Sequence, residues 1–326
     1  MLRSLGFVVT EQSFEYSRFP GAWAAPVAGV AAPVVATALI VWRRTPAAWI
    51  LAVVVLALAV PLLAYIGRMG VLDLPVMRRT GVNLEATRGT ETPTVWLVAH
   101  VDSKWQPVSM VARVAGVIVT AVALMLILVV SLSPITLAPT TAVLLVVLAW
   151  IGAAPLILSV VGDRNHGTLD NASGVAAVLE AAALVSPASR VGVLIADAEE
   201  LALAGARAWA RSRTPATALN CDSVDDVGRL TVMYSASLPR RLVTAIEKAT
   251  AEHDGAERLR VIRLIPGILT DSVALTDAGW ETVTLSRGNI RTLQRIHTSR
   301  DSLDSMRGTG IALAAHVLAR TAMEIG

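Results

Sequence analysis

The sequence is poor in the features that mark several common protein classes. Its one cysteine, Cys221, can form no internal disulfide, so a disulfide-stapled secreted scaffold is excluded. Lysine occurs only at Lys104 and Lys248, aromatics make up 4% of the residues, and the net charge is just +3. With dispersed arginines and few aromatics to interleave with them, the chain has little to offer a nucleic acid. Charged residues as a whole are scarce at 16%, against 54% apolar ones in a chain of 326 residues. A water-soluble domain of that size carries more charge, which places part of this chain in lipid.

The longest absence is local. From Val114 to Gly162 there is no charged side chain, and two proline-containing breaks, at Ser133-Pro134 and Pro139, divide the stretch into two spans. A dry, soluble cap domain is the alternative reading of so apolar a segment. Upstream, Pro20 to Trp42 is too long for a signal-peptide core, and Ala47 to Gly67 follows after the turn Arg43-Arg44-Thr45-Pro46. Four membrane helices in a two-plus-two arrangement are therefore expected. The organisation that follows is a polar N-terminal segment (1–19), a transmembrane hairpin (20–67), a first catalytic portion (68–106), an inserted transmembrane hairpin (107–162) and the remaining catalytic portion (163–326).

Outside the spans the chain alternates in βα style. Gly81 to Thr87 has the pattern of an edge strand, and Thr94 to Ala99 that of a strand covered on both faces. Val191 to Ala196, Thr217 to Asn220, Arg229 to Tyr234, Leu259 to Leu264 and Thr282 to Leu285 are further strands. Helices are expected over Ala204 to Arg213, Pro239 to His253 and Ser305 to Ile325. The expected fold is an α/β domain on a largely parallel or mixed sheet.

Acidic residues and histidines stand where the apolar runs end. Gly167-Thr168-Leu169-Asp170-Asn171-Ala172-Ser173-Gly174 opens an alanine-rich helix. Alone, its Asp and Asn are ordinary helix caps. His100 and Asp102 close one strand, Glu199-Glu200 and Asp222 close others, and His297 follows later. Such positions converge at the carboxyl edge of a sheet. Asp102 can accept from one ring nitrogen of His100 while the other binds a metal. Two adjacent glutamates repel unless a cation or a shared proton relieves them, so Glu199-Glu200 suits one ligand and one proton carrier. Cys221, beside Asp222, raises the thought of a catalytic thiol, but its apolar lead-in suits a packed small residue. His166, His253 and His316 receive no role.

Five motifs then carry a resemblance: Ala99-His100-Val101-Asp102-Ser103, Leu169-Asp170-Asn171-Ala172-Ser173-Gly174, Ala198-Glu199-Glu200-Leu201, Leu219-Asn220-Cys221-Asp222 and Ile296-His297-Thr298-Ser299-Arg300-Asp301. In this order they resemble the motifs of the co-catalytic di-zinc aminopeptidases, which include bacterial leucine aminopeptidase and have glutamate carboxypeptidase and glutaminyl cyclase as relatives. The resemblance covers roughly residues 80 to 104 and 163 to 326 and leaves out the spans. It implies a phosphorylase/hydrolase-like three-layer domain with a central mixed sheet. It also implies two Zn2+ ions, with Co2+ or Mn2+ tolerated. Asp170 would bridge them, Glu200 and His297 would complete one site, and His100 and Asp222 the other. Asp102 would orient His100, Glu199 would be the general base, and the Asp170–Asn171 peptide would be cis. Three positions depart from the family pattern: Val101, Thr270-Asp271-Ser272 and Ile296. Arg287 is the candidate substrate contact in place of the oxyanion donor that Ile296 cannot supply.

The expected function is a membrane-bound, multi-pass zinc metallopeptidase, an aminopeptidase acting on peptides. A single-zinc glutaminyl-cyclase-like acyl transferase and a non-catalytic membrane scaffold or transport component are the alternatives. Oligomeric state has no signal in the sequence. For sidedness, Arg18, Arg68, Arg78, Arg79, Lys104 and Arg164 flank the catalytic side and lean cytoplasmic. Arg43-Arg44 opposes them, as do the mostly secreted or lumenal relatives, so the side stays open.

Overall fold

A computed structural model of the chain describes residues 1–66, 70–253, 259–264 and 268–326. The expected end of the second span, Gly67, and the flanking Arg68 lie outside the described residues. One mixed sheet has the order β1-β2-β4-β3-β5-β8-β6-β7. Its strands are β1 (Val8–Ser17), β2 (Arg78–Thr87), β3 (Val95–His100), β4 (Val191–Ala196), β5 (Thr217–Val224), β6 (Arg229–Tyr234), β7 (Arg260–Arg263) and β8 (Glu281–Gly288). The helices up to the second membrane-type pair are α1 (Phe19–Val41), α2 (Pro46–Tyr65), α3 (Val71–Asp73), α4 (Met110–Leu132) and α5 (Pro139–Ile157). Those after it are α6 (Ser173–Leu184), α7 (Ala204–Ala210), α8 (Arg240–Ala251), α9 (Asp271–Asp277), α10 (Ile290–Arg295) and α11 (Thr309–Ile325).

The central strands are apolar on both sides because both sides are covered. Along β3, Val95, Leu97 and Ala99 join a core with α6, α8 and α11, while Trp96 and Val98 join a second core with α7 and α9. That alternation is the two-residue period of a strand. In the second core Trp209 packs against Trp96 and Trp280 with ring centroids 4.7 and 4.9 Å apart. Helices on both faces of a mixed sheet make the expected three layers.

Two expectations change at the sheet's first edge. The N-terminal segment, read as merely polar, contains β1, which pairs antiparallel with β2 from Val8↔Thr87 to Ser17↔Arg78. The reading of β2 as an edge strand is thereby corrected, since β1 lies outside it. The physical reason is that an edge strand needs only one apolar face: Phe14 and Tyr16, two apart, turn onto Val71, Leu72 and Ala204, while Glu15 pairs with Arg78 in solvent. A segment so rich in Thr, Glu, Gln and Ser hides that signal.

Strand directions place the long helices. β2 is antiparallel to both β1 and β4, so β1 runs parallel to β4, and β3 is parallel to β4 and β5. The end of β1, where α1 begins, and the end of β3, which leads to α4, therefore share the sheet's carboxyl edge. Returning from α2, the chain enters antiparallel β2 at that edge. After α5 it closes against the start of its own excursion, where Trp105 and Gly162 form a two-way backbone bridge with N–O distances of 3.0 and 2.8 Å.

Three helices, α1, α4 and α5, are long and apolar enough to cross a membrane, and α2 carries a shorter apolar stretch, Pro46–Ala59, among the described residues. The four helices pack on one another. Ala36 and Leu39 of α1, Ala48 and Ala52 of α2, Ala123 and Ile127 of α4 and Ala149 of α5 share one buried cluster. Small residues permit the close crossings: a Cβ on Gly29 would lie 2.9 Å from the Ile157 nitrogen, and one on Gly152 would lie 2.8 Å from that of Thr120. At the far end Arg43 and Arg44 donate to the carbonyls of Leu137 and Pro134, at 3.3 and 2.5 Å, tying the two interhelix loops together.

Candidate metal centre

Each functional side chain stands at the carboxyl edge because an element ends there. His100 is the last residue of β3, Glu199 and Glu200 follow β4, Asp222 lies near the end of β5, and His297 follows α10. Asp170 precedes α6, where Asn171 fixes the turn. The Asn171 amide donates to the Cys221 carbonyl at 2.9 Å, and its oxygen accepts from Gly174 N at 2.9 Å and Ser223 N at 3.1 Å. Gly174 is required here, since a Cβ would run into Asn171 and the Cys221 carbonyl. The Asp170–Asn171 peptide is cis, as the resemblance implies. Ala198, Ala202, Leu203, Ser223 and His297 all have positive φ on the site loops, a strain that only a well-packed surrounding sustains.

The structure brings all seven expected catalytic and metal-site residues together. Asp170 lies between the two histidines, with Oδ1 3.2 Å from His100 Nε2 and Oδ2 2.8 Å from His297 Nε2. Glu200 Oε1 is 2.9 Å from His297 Nε2, while Asp222 Oδ1 and Glu199 Oε2 are 3.8 and 3.9 Å from His100 Nε2. Two groups of ligand-type atoms result, His100/Glu199/Asp222 and Asp170/Glu200/His297, each within 4.8 Å. Asp102 is placed differently from its simplest reading. The nearer partner of His100 Nδ1 is its main-chain oxygen at 3.0 Å, with Oδ1 at 3.5 Å. Its carboxylate accepts instead from the Glu199 and Glu200 amides at 2.9 and 3.1 Å, holding the glutamate turn against the end of β3.

Arg287 is not part of this cluster. Its Nη1 donates to the Asp225 carbonyl at 2.9 Å, and among the described residues no ion pair joins it to the seven. Cys221 is fully buried, and burial pushes its thiol further above its ordinary value, so it is a core residue rather than a nucleophile.

Four further residues shape the site. Lys104 Nζ is 2.6 Å from Glu200 Oε2, and Arg113 Nη2, in the first turns of α4, is 2.9 Å from His297 Nδ1. Asp301 accepts from the amides of Leu169 and Asp170 at 2.6 and 3.2 Å and so fixes the backbone at Asp170. Asp271 is fully buried with no hydrogen bond to either carboxylate oxygen, and burial raises its pKa to about 7. The available signals were faint: Lys104 is one of two lysines, and Arg113 is the lone charge at the end of an apolar run.

The donor set fits divalent metal. Four buried carboxylates and two buried imidazoles face one another, and His100 Nε2 and Glu200 Oε1 make no hydrogen bond. Burial, with Glu200, Asp222 and Asp271 nearby, pushes Glu199 well above the ordinary carboxylate range against the pull of His100. Burial works the same way on Glu200, but His297 and Lys104 overcome it and hold Glu200 below that range. The two adjacent carboxylates are thus driven in opposite directions.

Comparison with known proteins agrees with this geometry. The family described as Peptidase family M28 matches residues 82–322. The fold resembles that of BSAP, a zinc aminopeptidase from Bacillus subtilis, at 16% identity and a TM-score of 0.50, covering 76% of this chain and 50% of that one. It resembles a leucine aminopeptidase precursor from Bacteroides thetaiotaomicron at 14% identity and a TM-score of 0.50, covering 90% and 96%. A glutaminyl cyclase from the same organism aligns at 14% identity and a TM-score of 0.49, over 90% and 97%. The chain thus spans about half the length of the Bacillus subtilis enzyme. No curated protein sequence matches it.

Proposed function

The chain belongs to peptidase family M28, and from that premise we propose that it is a membrane-bound, zinc-dependent aminopeptidase with two metal ions and four membrane spans. The observation that carries the reading is the position of Asp170, one oxygen facing His100 and the other His297. A carboxylate so placed could serve two ions at once. Asp170, Glu200 and His297 would hold one ion, and Asp170, His100 and Asp222 the other. Ions held there would supply Lewis-acid polarisation of the scissile carbonyl and would acidify water at neutral pH.

The chain's own residues do the rest. Glu199, buried beside His100 and with its proton affinity raised, takes the proton from the attacking water and returns it to the leaving amine. Asp102 fixes the glutamate turn and, through its main-chain oxygen, the His100 ring. Asp301 holds the Asp170 backbone. Arg287, its guanidinium held by the Asp225 carbonyl, is at most a minor contact for the substrate carbonyl oxygen.

The test is hydrolysis by the purified full-length protein. A chromogenic aminoacyl reporter should be cleaved, the N-acetylated reporter should not, and chelation should abolish activity until zinc is restored. Equal cleavage of both reporters would contradict the aminopeptidase reading. Cyclisation of an N-terminal glutaminyl peptide without hydrolysis would favour the acyl transferase.

A further inference from the structure

The metal centre and the roots of the long apolar helices share one edge of one sheet. His100, Asp222 and the glutamate pair lie at the ends of β3, β5 and β4, and α1 and α4 depart from the ends of β1 and β3. The cleft therefore faces the side on which those helices would be embedded. Gly21, in the first turn of α1, packs directly on the backbone of Leu201, beside Glu200. Arg113, in the first turns of α4, touches His297.

The loops on this edge expose apolar side chains. α10 packs against α4 and presents Ile290 and Leu293, three apart and so on one side of the helix, at 58% and 40% exposure. Leu303, in the turn after the last ligand, is 77% exposed. Arg291, Arg300 and Arg307 stand exposed on the same stretch of chain, with Asp304 the exposed acid beside Leu303. Apolar knobs among cations are the composition of a surface that rests at an anionic lipid interface. Val101, 58% exposed between His100 and Asp102, makes the rim beside the ligands apolar as well.

We infer that Ile290, Leu293 and Leu303 rest in the headgroup layer, and that the cleft takes peptides whose N-terminus is held at the membrane surface in preference to peptides in bulk water. The inference rests on the metallopeptidase reading above. The occupant of the apolar rim is lipid, because a bilayer surrounding α1, α4 and α5 continues up to the first turns of α4, where α10 packs.

The test uses the full-length protein in vesicles containing anionic lipid. Two acyl-anchored peptides share one N-terminal sequence. In the first the N-terminus follows the anchor closely; in the second a spacer of about 20 prolines lifts it about 60 Å, at ~3.1 Å per residue. The close peptide should be cleaved at least about tenfold faster. In parallel, a fluorophore on Leu293→Cys should be quenched by nitroxide-labelled lipid. One on Leu238→Cys, in the loop after β6 at the opposite edge, should not be. Equal cleavage, faster cleavage of the lifted peptide, or equal quenching at the two positions overturns the inference. Selective quenching at Leu293 with no cleavage of either peptide supports a membrane-facing cleft and sinks the peptidase reading instead.

Discussion

The two halves of the metal centre differ in what stands behind them. His100, Glu199 and Asp222 sit on or just after strand ends and are backed by the Asp102 main chain and the Ser223 hydroxyl, which donates to Asp222 at 3.0 Å. Among the described residues no lysine or arginine forms an ion pair with them. Behind Asp170, Glu200 and His297 stand two cations, Lys104 at 2.6 Å from Glu200 and Arg113 at 2.9 Å from His297. Lys104 comes from the segment that leads into α4, and Arg113 from its first turns. Gln106 N also donates to the His297 carbonyl at 2.7 Å. One half is thus backed by the sheet alone, and the other also by the root of the long apolar helix α4. The inserted helix pair is a wall of the centre, and a dication held in that second half would feel the repulsion of two fixed positive charges.

Breaking the shared element should have the largest effect. Asp170→Ala removes the one side chain common to both halves, so metal content should fall from two ions per chain to near zero. Activity should fall by roughly three orders of magnitude or more, the several kcal/mol that Lewis-acid assistance supplies. Elemental analysis and the aminoacyl reporter check this together; retention of one tightly held ion would mean that Asp170 serves one half only.

Next in size is Glu199→Gln, which should keep both ions and lose about two to four orders of magnitude in kcat. Glu200→Gln should in addition lose the ion of its own half. Equal metal loss in the two variants would erase the distinction between proton carrier and ligand.

A smaller change should sharpen the asymmetry. Arg113→Met removes one cation beside His297, so metal in the second half should bind at least about tenfold tighter, with the first half unmoved. Stepwise chelator titration of wild type should strip one ion well before the other, and the variant should narrow that gap. If the steps stay where they were, Arg113 does not bear on the centre's electrostatics.

Arg287→Ala is expected to matter least, below about tenfold in kcat/KM, because its guanidinium is tied to the Asp225 carbonyl, where a true oxyanion donor costs about 10² to 10³. A loss in that higher range with an unchanged KM would establish it as the substrate contact.

The same division explains what could be read from the sequence. His100, Asp222 and the glutamate pair announce themselves because each closes a run that is apolar for a reason, burial on both faces of the sheet. Asp301, in a loop, and Asp271, at the start of α9, act on the site from far along the chain, and Asp301 meets the Asp170 amide across 131 positions of sequence. No local pattern encodes such a meeting. β1 was hidden because an edge strand keeps its polar face, and the shared packing of the four apolar helices was hidden because apolar composition says which residues are lipid-like, not which helices touch. Arg113 was visible only as a lone charge near the end of a span; its meaning depends on α4 rising beside His297.

The central claim is that one carboxylate joins two metal half-sites, and the most direct test is the metal count of active protein. Full-length enzyme purified with its bilayer mimic, and verified active on the aminoacyl reporter, should contain two zinc-class ions per chain by elemental analysis, with activity falling as the first is withdrawn. Fully active protein holding a single ion per chain would contradict the account.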